Sequence, residues 1–373
     1  MIVKGVCPPK FQEVQQVFQN LFNDKEEAGA NFAVVQNNEV LINIFGGSKN
    51  SNDEWDENTI VNTFSLSKGI YASCVAKLIE EKELDIEKRV SFYWPEFKGD
   101  KENIKVKDIL SHQSGIYRFK TKITNQDLLD FEKITIILQK QTPDHNPGSE
   151  TYYHAKTHGY LIENLILKIT GLSLKEFFKK KFSEPYNLNF NFGCEKKDLS
   201  NVADLIENKL ISYEKINKDN KVLNAFNNPE HNIKFYNTEK WRQSGISSMG
   251  GHGSALSVAK VYDILANDLK LNAKKIIATS NFDKILKQSN FGIDKTLSLP
   301  IKWTYSGFIL RGGWMFGKNK RAFGHNGWGG SLGFADPEEG IGVSYVTRKI
   351  NATMGSDTRA VRLIKKFYSI LNS

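Results

Sequence analysis

Ser65 and Lys68 stand three residues apart at the start of a segment whose apolar residues, Ile70, Tyr71, Cys74, Val75, Leu78 and Ile79, recur at helical spacing. Residues three apart share a helix face, so the Lys68 amine can reach the Ser65 hydroxyl. A serine hydroxyl is a weak nucleophile until a base takes its proton. Two effects favour the neutral, proton-accepting form of Lys68: a helix N-terminus carries positive potential, and a buried ammonium loses hydration. The same pattern also fits an N-cap serine followed by a solvated lysine, so further residues must select between the two.

Two other segments bear chemistry. Pro147–Thr157 is an aromatic-rich loop containing Tyr152, Tyr153 and His154 ahead of a helix, and Gly324–Gly333 places His325, Asn326 and Trp328 among five glycines. Gly329 to Gly333 also fits Gly-x-Ser-x-Gly, which makes Ser331 a rival nucleophile; that motif needs a strand before it and a helix after it, whereas turn and strand residues follow here. His154 and His158 have the spacing of a zinc-binding helix, yet Ala155 occupies the place of the glutamate base, so no metal is expected. His112 and His252 lie in Gly- and Ser-rich turns and are expected to satisfy backbone groups. Gly250 to Gly253 lacks the Lys-Ser/Thr of a phosphate loop.

Elements that must hold these residues are readable in part. Phe11 to Phe22 is an amphipathic helix, and Phe32–Gln36, Asn37-Asn38 and Val40–Phe45 form a β-hairpin on a two-residue turn. The middle of the chain reads as helices at 70–83, 157–169 and 174–182, the last opened by the capping box Ser173 to Glu176, with few strand signals. Residues 195–241 are polar and irregular and read as loops. Strands return at 321–325, 331–335 and 341–347, followed by a last helix with Val361, Ile364, Phe367, Tyr368 and Leu371 on one face. This order predicts a sheet built from both ends of the chain: an α/β (α+β) domain of residues 1–64 and 255–373, a mainly helical inserted domain of 65–254, and an active site at their junction.

Composition narrows the partners. The chain has 373 residues, 40% hydrophobic and 25% charged, enough to form a core, and it shows no run of apolar residues long enough to span a membrane. Its net charge of +9 is dispersed, and the densest runs, 179–181 and 318–321, lack interleaved aromatics, so no nucleic-acid partner is expected. Cys7, Cys74 and Cys194 form neither a disulfide framework nor a zinc pattern, and no signal peptide is evident, which predicts a cytoplasmic protein. Nothing in the sequence sets its oligomeric state.

Taken with Leu110–Gly115, Phe334–Pro337, Val3–Gly5 and Tyr93–Phe97, the Ser65, Tyr153 and His325 segments resemble the beta-lactamase-related serine hydrolase family across nearly the whole chain. That family holds class C beta-lactamases, penicillin-binding carboxypeptidases and many esterases, and the Tyr-His-Ala motif resembles its esterase-like branch. The resemblance implies an antiparallel sheet flanked by helices, as in the beta-lactamase/transpeptidase-like fold, and no cofactor. Ser65 would be the nucleophile, Lys68 its base and Tyr153 the proton shuttle, with the backbone N–H groups of Ser65 and Trp328 holding the oxyanion. His325, Gly327 and Ala155 would line the substrate pocket.

Two departures bear on substrate. Ala155 stands where the lactamases have asparagine, and His325 replaces the lysine of Lys-Thr-Gly, making a fixed positive charge conditional on pH. Both point to ester over beta-lactam turnover through an acyl-enzyme, the expected partner being a small-molecule ester or amide substrate. The alternatives are a beta-lactamase or D-alanyl carboxypeptidase, an acyltransferase, and a non-enzymatic scaffold.

Overall fold

A computed structural model describes residues 3–208, 218–267, 270–271, 274–275, 286–289, 292–311, 313, 315–351 and 357–371. Its main sheet has seven strands drawn from the two ends of the chain. β1 (Lys4–Val6), β3 (Glu39–Gly47) and β2 (Gly29–Gln36) lie beside the strands Ile341–Thr347, Leu332–Asp336, Phe323–Asn326 and Ile309–Leu310, in that order. All neighbours are antiparallel. The β2–β3 turn is Asn37-Asn38, both at positive φ (50° and 68°), the conformation a two-residue hairpin of this hand requires.

Helices cover both faces. α1 (Gln12–Asn23) buries Val14, Phe18, Leu21 and Phe22, and packs with the C-terminal helix Thr358–Leu371, where Phe367 stacks on Phe11 at 5.2 Å. On the other face lie the helix Ala255–Ala266, capped by Ser254, and α2 (Leu66–Glu80). α2 is buried on nearly every side, as expected for a helix apolar all round. Gly69 permits its close approach to the sheet: a Cβ there would lie 2.0 Å from the Tyr262 hydroxyl and 2.9 Å from His325 Cβ.

Three expectations need correction. The few strand signals of the middle of the chain understate it: Val61–Asn62, Gly251–Gly253 and Phe190–Phe192 form a three-stranded sheet whose strands of two or three residues are too short to show a period. The stretch 195–241 is not merely loop. It holds helices at Asn220–Asn227, Ile233–Tyr236 and Glu239–Ser244, each with a side-chain N-cap, which bury Phe226, Tyr236 and Trp241. Residues 209–217 of that stretch lie outside the described residues. The helix expected at 70–83 begins at Leu66 and ends at Glu80. Among the described residues no helix is long and apolar enough to cross a membrane.

Candidate active site

Ser65 is the N-cap residue of α2, directly before the helix rather than within its first turn. Phe64 precedes it at φ 46°, a left-handed conformation that is costly for a side chain of this size. The Phe64 ring compensates by packing edge-on against Tyr236 and Trp328, at 5.4 and 5.1 Å. The turn is closed from the other side by Gly327, where a Cβ would sit 2.1 Å from the Thr63 carbonyl oxygen.

Lys68 lies one turn on, fully buried, with Nζ 3.1 Å from Ser65 Oγ. The ammonium also donates to the carbonyl oxygens of Ala155 at 2.9 Å and Ser248 at 2.8 Å. Burial, and secondly the nearby Lys156, push its pKa well below the usual lysine value. Neutral Lys68 is an acceptor for the Ser65 proton.

Several contacts fix Tyr153, three of them from the residues around it in the cleft. Its backbone N–H donates to Asp294 Oδ1 at 3.1 Å, its ring lies parallel to Trp303 at 5.7 Å, and the Lys68 ammonium lies 5.1 Å from its ring centroid. Asp294 also accepts from Trp303 Nε1 at 3.2 Å, so one carboxylate holds both aromatics. Burial pushes Asp294 up to about 6.

His325 is held at the edge of the same space on the strand Phe323–Asn326. Nδ1 lies 2.7 Å from the Asn326 carbonyl oxygen, which can only accept, so Nδ1 carries the hydrogen. Burial, then Lys68, lower its pKa to about 3. The charge that the sequence made conditional on pH is therefore absent throughout the neutral range, and His325 presents Nε2 as a bare acceptor, buried and without a protein partner among the described residues.

These residues surround a cleft. Phe64, Tyr153, Phe226, Trp303 and Trp328 form its aromatic walls, and Ser65, Lys156, His231, His325 and Asn326 its polar points. The structure thus brings together Ser65, Tyr153, Ala155, His325 and Trp328, with Lys68 bonded to Ser65 behind. Gly327 supports the turn at Thr63 rather than lining the cleft.

The rival residues have other work. Ser331 precedes the strand Leu332–Asp336, not a helix, and its hydroxyl accepts from Thr347 N at 3.3 Å. His154 uses Nε2 with Ser114 Oγ and Nδ1 with the Tyr152 carbonyl, both at 2.6 Å. His158 is bonded to the Tyr71 hydroxyl and the Ile109 carbonyl. No cluster of metal-ligating side chains occurs among the described residues. His112 accepts from His154 N, and His252 bonds the Gly250 carbonyl.

Sequence reasoning missed Ser248, Lys156, His231, Asp294 and Trp303. Lys156 follows the tyrosine motif directly, and its position there was the one available signal.

Comparison with known proteins places the fold and the family. The esterase/beta-lactamase LipL of Mycobacterium tuberculosis is 24% identical over 366 residues, covering 93% of this chain and 83% of that protein. The crystal structure of a family VIII carboxylesterase is 30% identical, covers 99% of this chain and 100% of its own, and superposes with a TM-score of 0.92. A penicillin-binding protein homologue from Caulobacter crescentus gives 29% identity, the same coverage and the same TM-score. The beta-lactamase family model matches residues 14–366, and the chain belongs to that family.

Proposed function

We propose that the protein is a serine hydrolase that cleaves carboxylic esters through an acyl-enzyme on Ser65. One observation carries the reading: a buried lysine biased toward its neutral form lies 3.1 Å from a serine hydroxyl that opens into a mostly aromatic cleft. Ser65 Oγ attacks the ester carbonyl as Lys68 takes its proton. The backbone N–H groups of Ser65 and Trp328, neither used by another protein group among the described residues, receive the negative oxygen, a contribution of about 3 kcal/mol per donor. Collapse expels the alcohol, protonated through Tyr153, and leaves the acyl-serine. Water, deprotonated by the same groups, then releases the carboxylic acid and regenerates the hydroxyl.

Two features support esters over beta-lactams. Ala155 offers no side-chain amide to a substrate amide, and uncharged His325 offers no cation at the strand where the lactamases carry lysine. Catalysis is placed where an α/β domain of residues 1–64 and 255–373 meets a helical domain of 65–254, supported by a main sheet drawn wholly from 4–47 and 309–347. A cytoplasmic location is supported by three free thiols, two of them buried.

A burst of p-nitrophenol from p-nitrophenyl butyrate, with stoichiometric labelling of Ser65 by a phosphonate, is the expected result. Nitrocefin turnover exceeding ester turnover would favour the lactamase alternative, and a rate that rises with added alcohol the acyltransferase. Absence of both burst and label would overturn the reading.

A further inference from the structure

Lys156 has no part in the steps above, yet it is buried and lines the cleft. Its ammonium donates to the carbonyl oxygens of Phe226 and, at 2.5 Å, Pro229. An ammonium has three N–H groups, and among the described residues no other acceptor takes the third. No carboxylate lines the cleft among those residues; its ionisable groups are Tyr153, Lys156, His231 and His325. A neutral donor would pin two carbonyls without the cost of burying a charge, a cost offset when a negative oxygen enters beside the cation.

Building on the ester-hydrolase reading, we infer that Lys156 is the receptor for an anionic oxygen of the substrate, a carboxylate carried by either portion of the ester. The substrates of this enzyme are accordingly acidic esters, and Lys156 supplies the cation that His325 does not. The receptor stands on the wall built by the 226–229 segment, so the lost positive charge of the His325 strand is replaced at a different place in the cleft. A carboxylate there would meet the third N–H while its ester carbonyl reaches Ser65.

Charge on Lys156 also makes the preference depend on pH. Burial lowers Lys156 to about 7, with Glu230 opposing the shift. The charged and titratable groups around it are Lys68 from α2, Glu230 and His231 from the segment after Pro229, and Tyr153 and His325, which line the same cleft. Burial, then Lys156, hold His231 well below the usual histidine value, and burial, then Lys68, lower His325 to about 3.

The test compares each acidic ester with its own methyl ester: mono-p-nitrophenyl glutarate for an acid on the acyl portion, and 4-butanoyloxybenzoate for one on the alcohol portion. In the wild type the acid-to-methyl ratio of kcat/KM is expected to exceed one at pH 6 for one of the two pairs, which identifies the portion recognised. The ratio is expected to fall about tenfold by pH 9. Lys156→Met removes the preference at every pH. Lys156→Arg, whose charge persists, retains it at pH 9, which separates Lys156 from Lys68 as the receptor.

A wild-type ratio at or below one in both pairs at pH 6, or a ratio unchanged by Lys156→Met, overturns the inference and leaves Lys156 as a staple of the 226–229 segment. If Lys156→Met does not fold, a wild-type ratio that is flat from pH 6 to 9 overturns it. Should neither methyl ester be hydrolysed, the ester reading itself fails. Calorimetric binding of glutarate to the wild type then decides on Lys156 alone: affinity about tenfold weaker at pH 9 than at pH 6 supports the receptor, and no binding at pH 6 removes it.

Discussion

The Lys68 ammonium lies 3.1 Å from the Ser65 hydroxyl oxygen, and its two other partners are both carbonyl oxygens, those of Ala155 and Ser248. Carbonyls orient the amine without the full charge that would hold its proton in place. A lysine paired with a carboxylate in the same position would be raised in pKa and lost as a base.

The depressed pKa of Lys68 has a sign that can be measured. Between its lowered folded value and the ordinary unfolded value near 10.4, the unfolded chain holds a proton that the folded chain does not. Stability of the wild type relative to Lys68→Met therefore rises with pH through that window and levels off above it. Paired denaturant titrations from pH 6 to 10 check this. A difference independent of pH would place Lys68 at an ordinary value. The same substitution should lower kcat by at least about 10³-fold.

Ser65→Ala should lower ester turnover by at least about 10³-fold and abolish phosphonate labelling. Ser331→Ala should retain labelling and cost only about 1 kcal/mol, because it removes a single acceptor for Thr347 N. Mass spectrometry of the two labelled variants distinguishes them. A label that persists in Ser65→Ala and vanishes in Ser331→Ala would exchange their roles.

Gly327→Ala would place a Cβ 2.1 Å from the Thr63 carbonyl, against backbone that cannot swing aside. Overpacking of this kind costs about 1–3 kcal/mol. Since Thr63 and Phe64 set the conformation of Ser65, kcat should fall as well while the protein remains folded. Urea midpoints and kcat measured together test this, and unchanged values of both would show that the contact yields freely.

Asp294→Asn replaces an acceptor that serves the N–H groups of Tyr153, Thr296, Leu297 and Trp303. One amide oxygen cannot serve four donors on two sides, and the amide nitrogen would confront another donor. The expected loss is about 1–3 kcal/mol. Misplacement of Tyr153 should appear as a fall in kcat with KM nearly unchanged, and a fall confined to stability would confine Asp294 to a structural role.

Much of this arrangement was legible before any coordinates. α1 and the β2–β3 hairpin follow from apolar spacing and from Asn37-Asn38, since both signals are local. The Ser65–Lys68 pair is local too, and Tyr153 and His325 follow from the family resemblance. Trp303, Asp294 and Ser248 were not legible, because their roles exist only through partners far away in the chain: Lys68 meets Ser248 across 180 residues. Phe226, Tyr236 and Trp241 were hidden for another reason. Helices of four to eight residues never display the repeated turns on which a periodicity argument depends.

Ser65 and Lys68 sit together at the N-terminal end of one helix, whereas most other residues lining the cleft come from separate stretches around 153–156, 226–231, 297–309 and 325–328. Most of the cleft wall is thereby built away from the helix end that carries the proton-transfer pair. Descendants of this scaffold can exchange one stretch at a time and acquire new substrates while the proton-transfer pair is inherited intact.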